Sequence, residues 1–152
     1  MTKISLLPCL ILALSLVACN TDPQTSGPVA ISIRQALTGQ TTAGGTFEMT
    51  GIFTDQGQTT EEVTFGGPLN QSPVPITFRR TLTGTRGSIV VRGAASLAFS
   101  SPTAATFTGT WEVESGTGEY AALSGTGSLS GSADFGVAPP TAALSYSGTV
   151  RR

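Results

Sequence analysis

No histidine occurs in the 152-residue chain. That absence removes the commonest general base and metal ligand at neutral pH, and with it a Ser-His-Asp triad or a histidine-based zinc site. Cysteine is confined to Cys9 and Cys19, and lysine to Lys3. Charged residues make up only 11% of the chain, and 8 basic against 9 acidic side chains leave a formal charge of −1. A near-neutral chain has no electrostatic footprint for nucleic acid, so no nucleic-acid partner is expected. Aromatics are sparse, with Trp111 the only tryptophan and Tyr120 and Tyr146 the only tyrosines. Past the N-terminal segment, no stretch of about ten residues or more carries the 3.6-residue stripe of an amphipathic helix.

The N-terminus has a different character. Lys3 supplies a positive charge, Ile4 to Val17 is an almost unbroken apolar run, and small Ala18 precedes Cys19. This is the anatomy of a secretory signal peptide, and the run is short of the ~20 residues that span a bilayer. Leu16-Val17-Ala18-Cys19 resembles a bacterial lipobox. That resemblance implies cleavage before Cys19, lipidation of its thiol and a membrane partner through that lipid. The alternative is an ordinary signal peptide with an incidental cysteine. Asn20 follows, not the aspartate that marks inner-membrane retention in some bacteria. The expected location is therefore the bacterial cell envelope, anchored to a membrane and exposed to the periplasm or the outside. On this reading no cysteine is left for a disulfide, metal site or nucleophile, and no cofactor or metal is expected.

Removing residues 1–18 as a signal peptide leaves 134 of the 152 residues, one domain of usual size. Residues 19–28 are polar, with two prolines and a glycine, and read as a flexible tether. Residues 29–152 form the domain. Its hydrophobic period is two. Apolar faces run through Val29-Ile31-Ile33-Leu37, Phe47-Met49-Gly51-Phe53, Val63-Phe65, Ile76-Phe78-Leu82, Ile89 to Phe99, Phe107-Trp111-Val113, Leu129-Ala133-Phe135 and Leu144-Tyr146-Val150. Turn signals separate them, including Gly39 to Gly45, Asp55-Gln56-Gly57, Gly66 to Pro75 and Ala138-Pro139-Pro140. This reads as eight antiparallel strands forming a closed barrel or a sandwich. Glycines 51, 93, 109, 131 and 148 fall on the apolar parity, as at barrel corners, which favours the barrel, with a bulge expected at Gly93. Few large side chains fill it, so a narrow cavity is expected.

Gly116-Thr117-Gly118-Glu119-Tyr120-Ala121 matches a loose dinucleotide fingerprint. A true one needs a helix within a βαβ unit, and about one helical turn is all the space before Ser124-Gly125-Thr126-Gly127. A structural reading fits better. Gly116 and Gly118 supply positive φ or close approach, Gly125 and Gly127 start the next strand, and Tyr120 and Leu123 cover one barrel end. The run W-x-V-x-S-G-T-G-E-Y-A-A-L-S-G-T-G-S-L-S-G from Trp111 to Gly131 resembles the hallmark hairpin of bacterial secreted relatives of the allene oxide cyclase and dirigent barrels. Gly45-Thr46-Phe47 and Tyr146 to Val150 add to the resemblance. It implies an eight-stranded antiparallel barrel, shaped like a lipocalin. The group includes a cyclase of plant oxylipins and proteins that steer phenoxy-radical coupling. No catalytic residue of those enzymes maps onto this chain.

Two charges break the inner parity: Glu61, beside Val63 and Phe65, and Arg80, between Phe78 and Leu82. A hairpin centred between Asn70 and Gln71 sets Phe65 opposite Ile76, Val63 opposite Phe78 and Glu61 opposite Arg80. Opposed side chains lie ~5 Å apart. The pair is then either a rim ion pair that tolerates water or a polar anchor in a ligand cavity. Tyr146 fills the core or hydrogen-bonds within it. Glu62, Arg79, Glu112 and Glu114 read as surface charges. The leading functional expectation is a module that binds a small apolar or amphipathic ligand. The alternatives are a cyclase- or dirigent-type enzyme acting by confinement and a structural envelope protein without a ligand.

Overall fold

The computed structural model describes residues 26–152, so the signal segment, Cys19 and most of the tether lie outside the described residues. The domain is an eight-stranded antiparallel barrel, closed in the order β1 to β8. The strands are β1 (Ser26–Leu37), β2 (Thr42–Gly51), β3 (Asp55–Phe65), β4 (Val74–Gly84), β5 (Ser88–Phe99), β6 (Ala104–Gly116), β7 (Ser124–Asp134) and β8 (Thr141–Arg151). The apolar parity in each strand is the inner face, since period two sends alternate side chains to opposite sides. Val29, Ile31 and Ile33 are buried, while Ala30, Ser32 and Arg34 between them are exposed. Pairing of β1 with β8 from Ser26↔Arg151 to Ala36↔Thr141 closes the sheet. Among the described residues no edge strand is left to pair with another chain. Closure lies wholly within residues 26–151, so the barrel needs nothing upstream to complete its sheet.

Up-and-down connectivity gives the barrel two unlike ends. Loops 38–41, 66–73, 100–103 and 135–140 ring one end, the mouth. None of their residues is charged. Loops 52–54, 85–87 and 117–123 close the other end, where β1 also begins and β8 ends. There Tyr120 and Leu123 are buried, and Phe53 meets Tyr120 edge-on at 5.5 Å between centroids.

Four local expectations are corrected. β1 begins at Ser26, so residues 26–28, expected in the tether, pair with β8. Asp55-Gln56-Gly57 is not a turn but the start of β3, and the chain reverses over 52–54 after Gly51, whose φ is +117°. Phe53 therefore belongs to that turn and not to β2, yet it is still buried. The bulge lies not at Gly93 but where Val90 faces Ser115 and Val91 faces Val113, which leaves Glu114 as the extra residue of β6. The inner-parity glycines also differ in role. A Cβ on Gly93 would lie 2.6 Å from the Phe78 ring, and one on Gly148 would lie 2.8 Å from the Trp111 ring. These two glycines make room for large aromatics.

Candidate functional site

The lumen is divided across its length. Its closed-end half, between Ile31, Met49, Phe53, Ile89, Val91, Trp111 and Leu123, leaves only about 10 Å³ of free space. Its mouth half holds a cavity of about 60 Å³ walled by Phe65, Phe78, Leu97, Phe107, Leu129 and Leu144. Besides Thr141, which begins β8 at the mouth, the cavity meets three polar side chains: Gln35, Glu61 and Tyr146.

These three belong to a cluster built from four strands around Arg80. In the β3–β4 hairpin Glu61 lies opposite Arg80, Val63 opposite Phe78 and Phe65 opposite Ile76. The residue numbers in each pair sum to 141, as the symmetric hairpin requires. The inner parity of both strands then turns the carboxylate and the guanidinium into the lumen. Arg80 is fully buried and Glu61 is 7% exposed, so a water-tolerant rim pair is ruled out for these two. Arg80 Nη2 stands 2.5 Å from Glu61 Oε1, but off the N–H direction of a good hydrogen bond. Arg80 Nη1 donates to Gln35 Oε1 at 2.6 Å and to Thr59 Oγ1 at 3.3 Å. Its Nε donates to the Tyr146 hydroxyl at 3.1 Å. Gln35 Nε2 donates back to Glu61 Oε2 at 2.7 Å. Each remaining polar atom of the pair thereby gains a partner, which is what makes a buried charge pair tolerable. Burial pushes the Tyr146 hydroxyl up to about 12; the Arg80 charge pulls it down, while the Glu61 charge adds to the rise. It is therefore a protonated hydroxyl at neutral pH.

Gln35 and Thr59 were missed by the sequence reading, although both sit on inner parities, after Ile33 in β1 and two residues before Glu61 in β3. A polar residue on an apolar parity was the available signal. Asp55, also on the inner parity of β3, was missed because it was read as turn. Asp55 accepts from Thr85 N and Oγ1 at 3.0 and 2.7 Å, from Gln56 N at 2.9 Å, from Arg86 N at 3.3 Å and from the Tyr120 hydroxyl at 2.9 Å. Burial alone would raise its carboxyl, but the bonds from Thr85, Tyr120 and Gln56 outweigh that and hold it well below the usual carboxylate range. Burial and the Asp55 bond push the Tyr120 hydroxyl up in turn. Asp55 thus clasps β3, the β4–β5 turn and the 3-10 turn Gly118–Tyr120 at the closed end. It lies away from the cavity and is structural.

The glycine-rich stretch is a lid of the closed end, with no nucleotide-type helix. Gly118 has φ +60°, and Gly116 packs against the Tyr120 backbone so closely that a Cβ there would collide. Gly125 and Gly127 lie within β7. Outside the barrel, Arg79 pairs with Glu114 and Arg92 with Glu112 on exposed side chains along a wide, open hollow. Those charges neutralise each other in solvent and define no enclosed site. Among the described residues no group of three acidic or cysteine side chains is placed to hold a metal ion. No protein-family model, curated protein or solved structure matches the chain, so the meaning of the cavity has to come from its own chemistry.

Proposed function

We propose that this chain is a lipid-anchored envelope protein whose barrel receives one end of a small apolar or amphipathic molecule through its mouth. One observation carries the reading: an apolar cavity in the mouth half rests on a fully buried ion pair and its partners. Stability alone does not account for such a pair, because well-packed apolar residues of similar volume are usually as stable or more so. The closed-end half is packed in that apolar way. Uncharged mouth loops lower the cost of passing an apolar group between them. The cavity is far smaller than the ~300–1,000 Å³ of a typical ligand pocket. The ligand is therefore either a few heavy atoms in size or a longer molecule that leaves its remainder between the loops.

The cluster supports binding over proton transfer. Both Glu61 oxygens are occupied by Gln35 and Arg80, and Tyr146 holds its proton at neutral pH. The run Trp111 to Gly131 resembles the hairpin of the allene oxide cyclase and dirigent barrels, and that resemblance supports a role by confinement in the lumen. With Cys19 lipidated, β1 would leave the anchor at the closed end, and the mouth would face away from the anchoring membrane. The test is an NMR titration of the domain with short-chain alcohols and ketones. Shifts should cluster at Leu97, Phe107 and Leu129 and vanish in Ala133→Phe, which fills the cavity. Shifts confined to the outer wall, or unaffected by Ala133→Phe, would sink the reading.

A further inference from the structure

The hydrogen-bond inventory of the cavity floor is unbalanced, and the imbalance has a chemical sign. The Tyr146 hydroxyl oxygen accepts from Arg80 Nε, so its remaining capacity is the O–H proton. Among the described residues that proton has no acceptor, although Tyr146 is 1% exposed and lines the cavity. Gln35 spends one amide proton on Glu61, and its second has no partner among the described residues. Gln35 Oε1 and Glu61 Oε2 each already accept a bond, and Glu61 Oε1 faces the Arg80 charge. Arg80 Nη2 is buried with no hydrogen-bond partner among the described residues. The floor therefore has donors without any acceptor, while each of these acceptors already holds a partner. Its formal charges, Glu61 and Arg80, cancel.

Resting on the binding role proposed above, we infer that the lumen selects a neutral carbonyl compound that enters oxygen first. The carbonyl oxygen accepts from the Tyr146 hydroxyl, with the Gln35 amide as second donor. The flanking carbons lie against Phe78, Phe107 and Leu129. A ketone, aldehyde, ester or amide satisfies both donors without bringing a charge. A carboxylate also accepts, but its charge would be buried beside Glu61 with Arg80 already neutralised. An alkylammonium brings more donors to a floor with donors to spare, and a second cation beside Arg80. Both pay the cost of an uncompensated buried charge. The raised Tyr146 hydroxyl keeps its proton across the physiological range, so the preference should not change between pH 6 and 9, below the ordinary tyrosine range of ~10.

Trp111 is a built-in reporter, the only indole of the chain, with its ring 6.1 Å from that of Tyr146. Its indole N–H resonance should be followed while the domain is titrated with methyl butyl ketone and with the isosteric alkene in which =CH2 replaces =O. Hexanoate and hexylammonium complete the set. The ketone should bind about 3–10-fold more tightly than the alkene, the range of one well-made neutral hydrogen bond, and more tightly than either ion. Tyr146→Phe should remove most of the ketone's advantage, leaving what the Gln35 amide supplies, and leave the alkene unchanged. That variant also strips Arg80 Nε of its acceptor, so the ketone–alkene comparison on the unaltered chain serves as an independent arm. Equal ketone and alkene affinities would overturn the inference and leave the apolar lumen standing, and tighter binding of either ion would also overturn it. If no compound moves a lumen resonance up to its solubility limit, this inference and the binding role fall together.

Discussion

Arg80 is the residue on which the interior turns. A guanidinium has five donors and no acceptor, and inside a barrel their partners must come from other strands. Tyr146 of β8, Gln35 of β1 and Thr59 of β3 accept from its Nε and Nη1, and Glu61 of β3 balances the charge at Nη2, whose N–H groups have no hydrogen-bond partner among the described residues. Removing one partner of a buried pair leaves a charge unpaired and typically costs ~3–5 kcal/mol. Glu61→Gln and Arg80→Met should therefore each destabilise strongly in urea, and the double variant should recover a large part of the loss. Additive effects, with coupling below ~0.5 kcal/mol, would show that the pair is not energetically linked. The tyrosines make a second prediction at this scale. Tyr146 and Tyr120 both have hydroxyls raised in the folded state. Below ~10 both folded and unfolded chains keep these protons. Above it the unfolded chain releases them first, so stability should fall from about pH 10 toward about 12, where Tyr146 titrates. Denaturant midpoints at pH 8, 10 and 11 check this, and Tyr146→Phe should flatten part of the slope. A flat profile would mean that the hydroxyls are not desolvated.

Among the elements, the closed-end lid shows how a short turn is held by backbone geometry. The turn after β6 must reverse the chain and deliver Tyr120 to Asp55. Gly118 does this at φ +60°, where a Cβ would crowd the Arg86 carbonyl. A β-branched residue at positive φ is strained, at a cost of ~1–3 kcal/mol. Gly118→Val should thus lower the melting temperature by about 5 °C or more, and Gly118→Asn, which tolerates the left-handed region, should lower it less. An unchanged melting temperature for Gly118→Val would remove any special backbone role. The β3–β4 hairpin behaves differently. Its register is the symmetric one despite three prolines between Gly66 and Pro75, because Val63, Phe65, Ile76 and Phe78 must all face inward. A one-residue slip of β4 against β3 would turn Ile76 and Phe78 outward while Val63 and Phe65 stayed inside.

For the molecule as a whole, the barrel is polarised. Its closed end carries the N-terminal strand, the Asp55 clasp and a packed core; its mouth carries uncharged loops over a small cavity. If Cys19 is lipidated, this polarity orients the mouth away from the anchoring membrane. Cys19→Ser should abolish lipid labelling and leave the domain soluble or uncleaved. A mature Cys19→Ser chain that still sediments with membranes would refute the anchor. The barrel itself should fold equally well with or without the lipid, since its sheet closes within residues 26–151.

Alternation at period two and the spacing of turn residues were enough to read eight antiparallel strands and, from the near-symmetric loop around Asn70, the facing of Glu61 and Arg80. These are local properties, because a hairpin's register follows from its own turn and its own two faces. Convergence of Gln35 and Tyr146 on Arg80 could not be read that way. Their strands meet β3 and β4 only across the lumen, and that geometry depends on the stagger with which all eight strands close. Asp55 was hidden for a related reason. Its sequence neighbours look like a turn, and only the β4–β5 loop and Tyr120, 30 and 65 residues away, reveal it as a strand residue with a full set of donors. The cavity was decided last of all. Its volume is the difference between the ring of backbone and the side chains that enter it, with Gly93 and Gly148 yielding space to Phe78 and Trp111, and no single strand contains that difference.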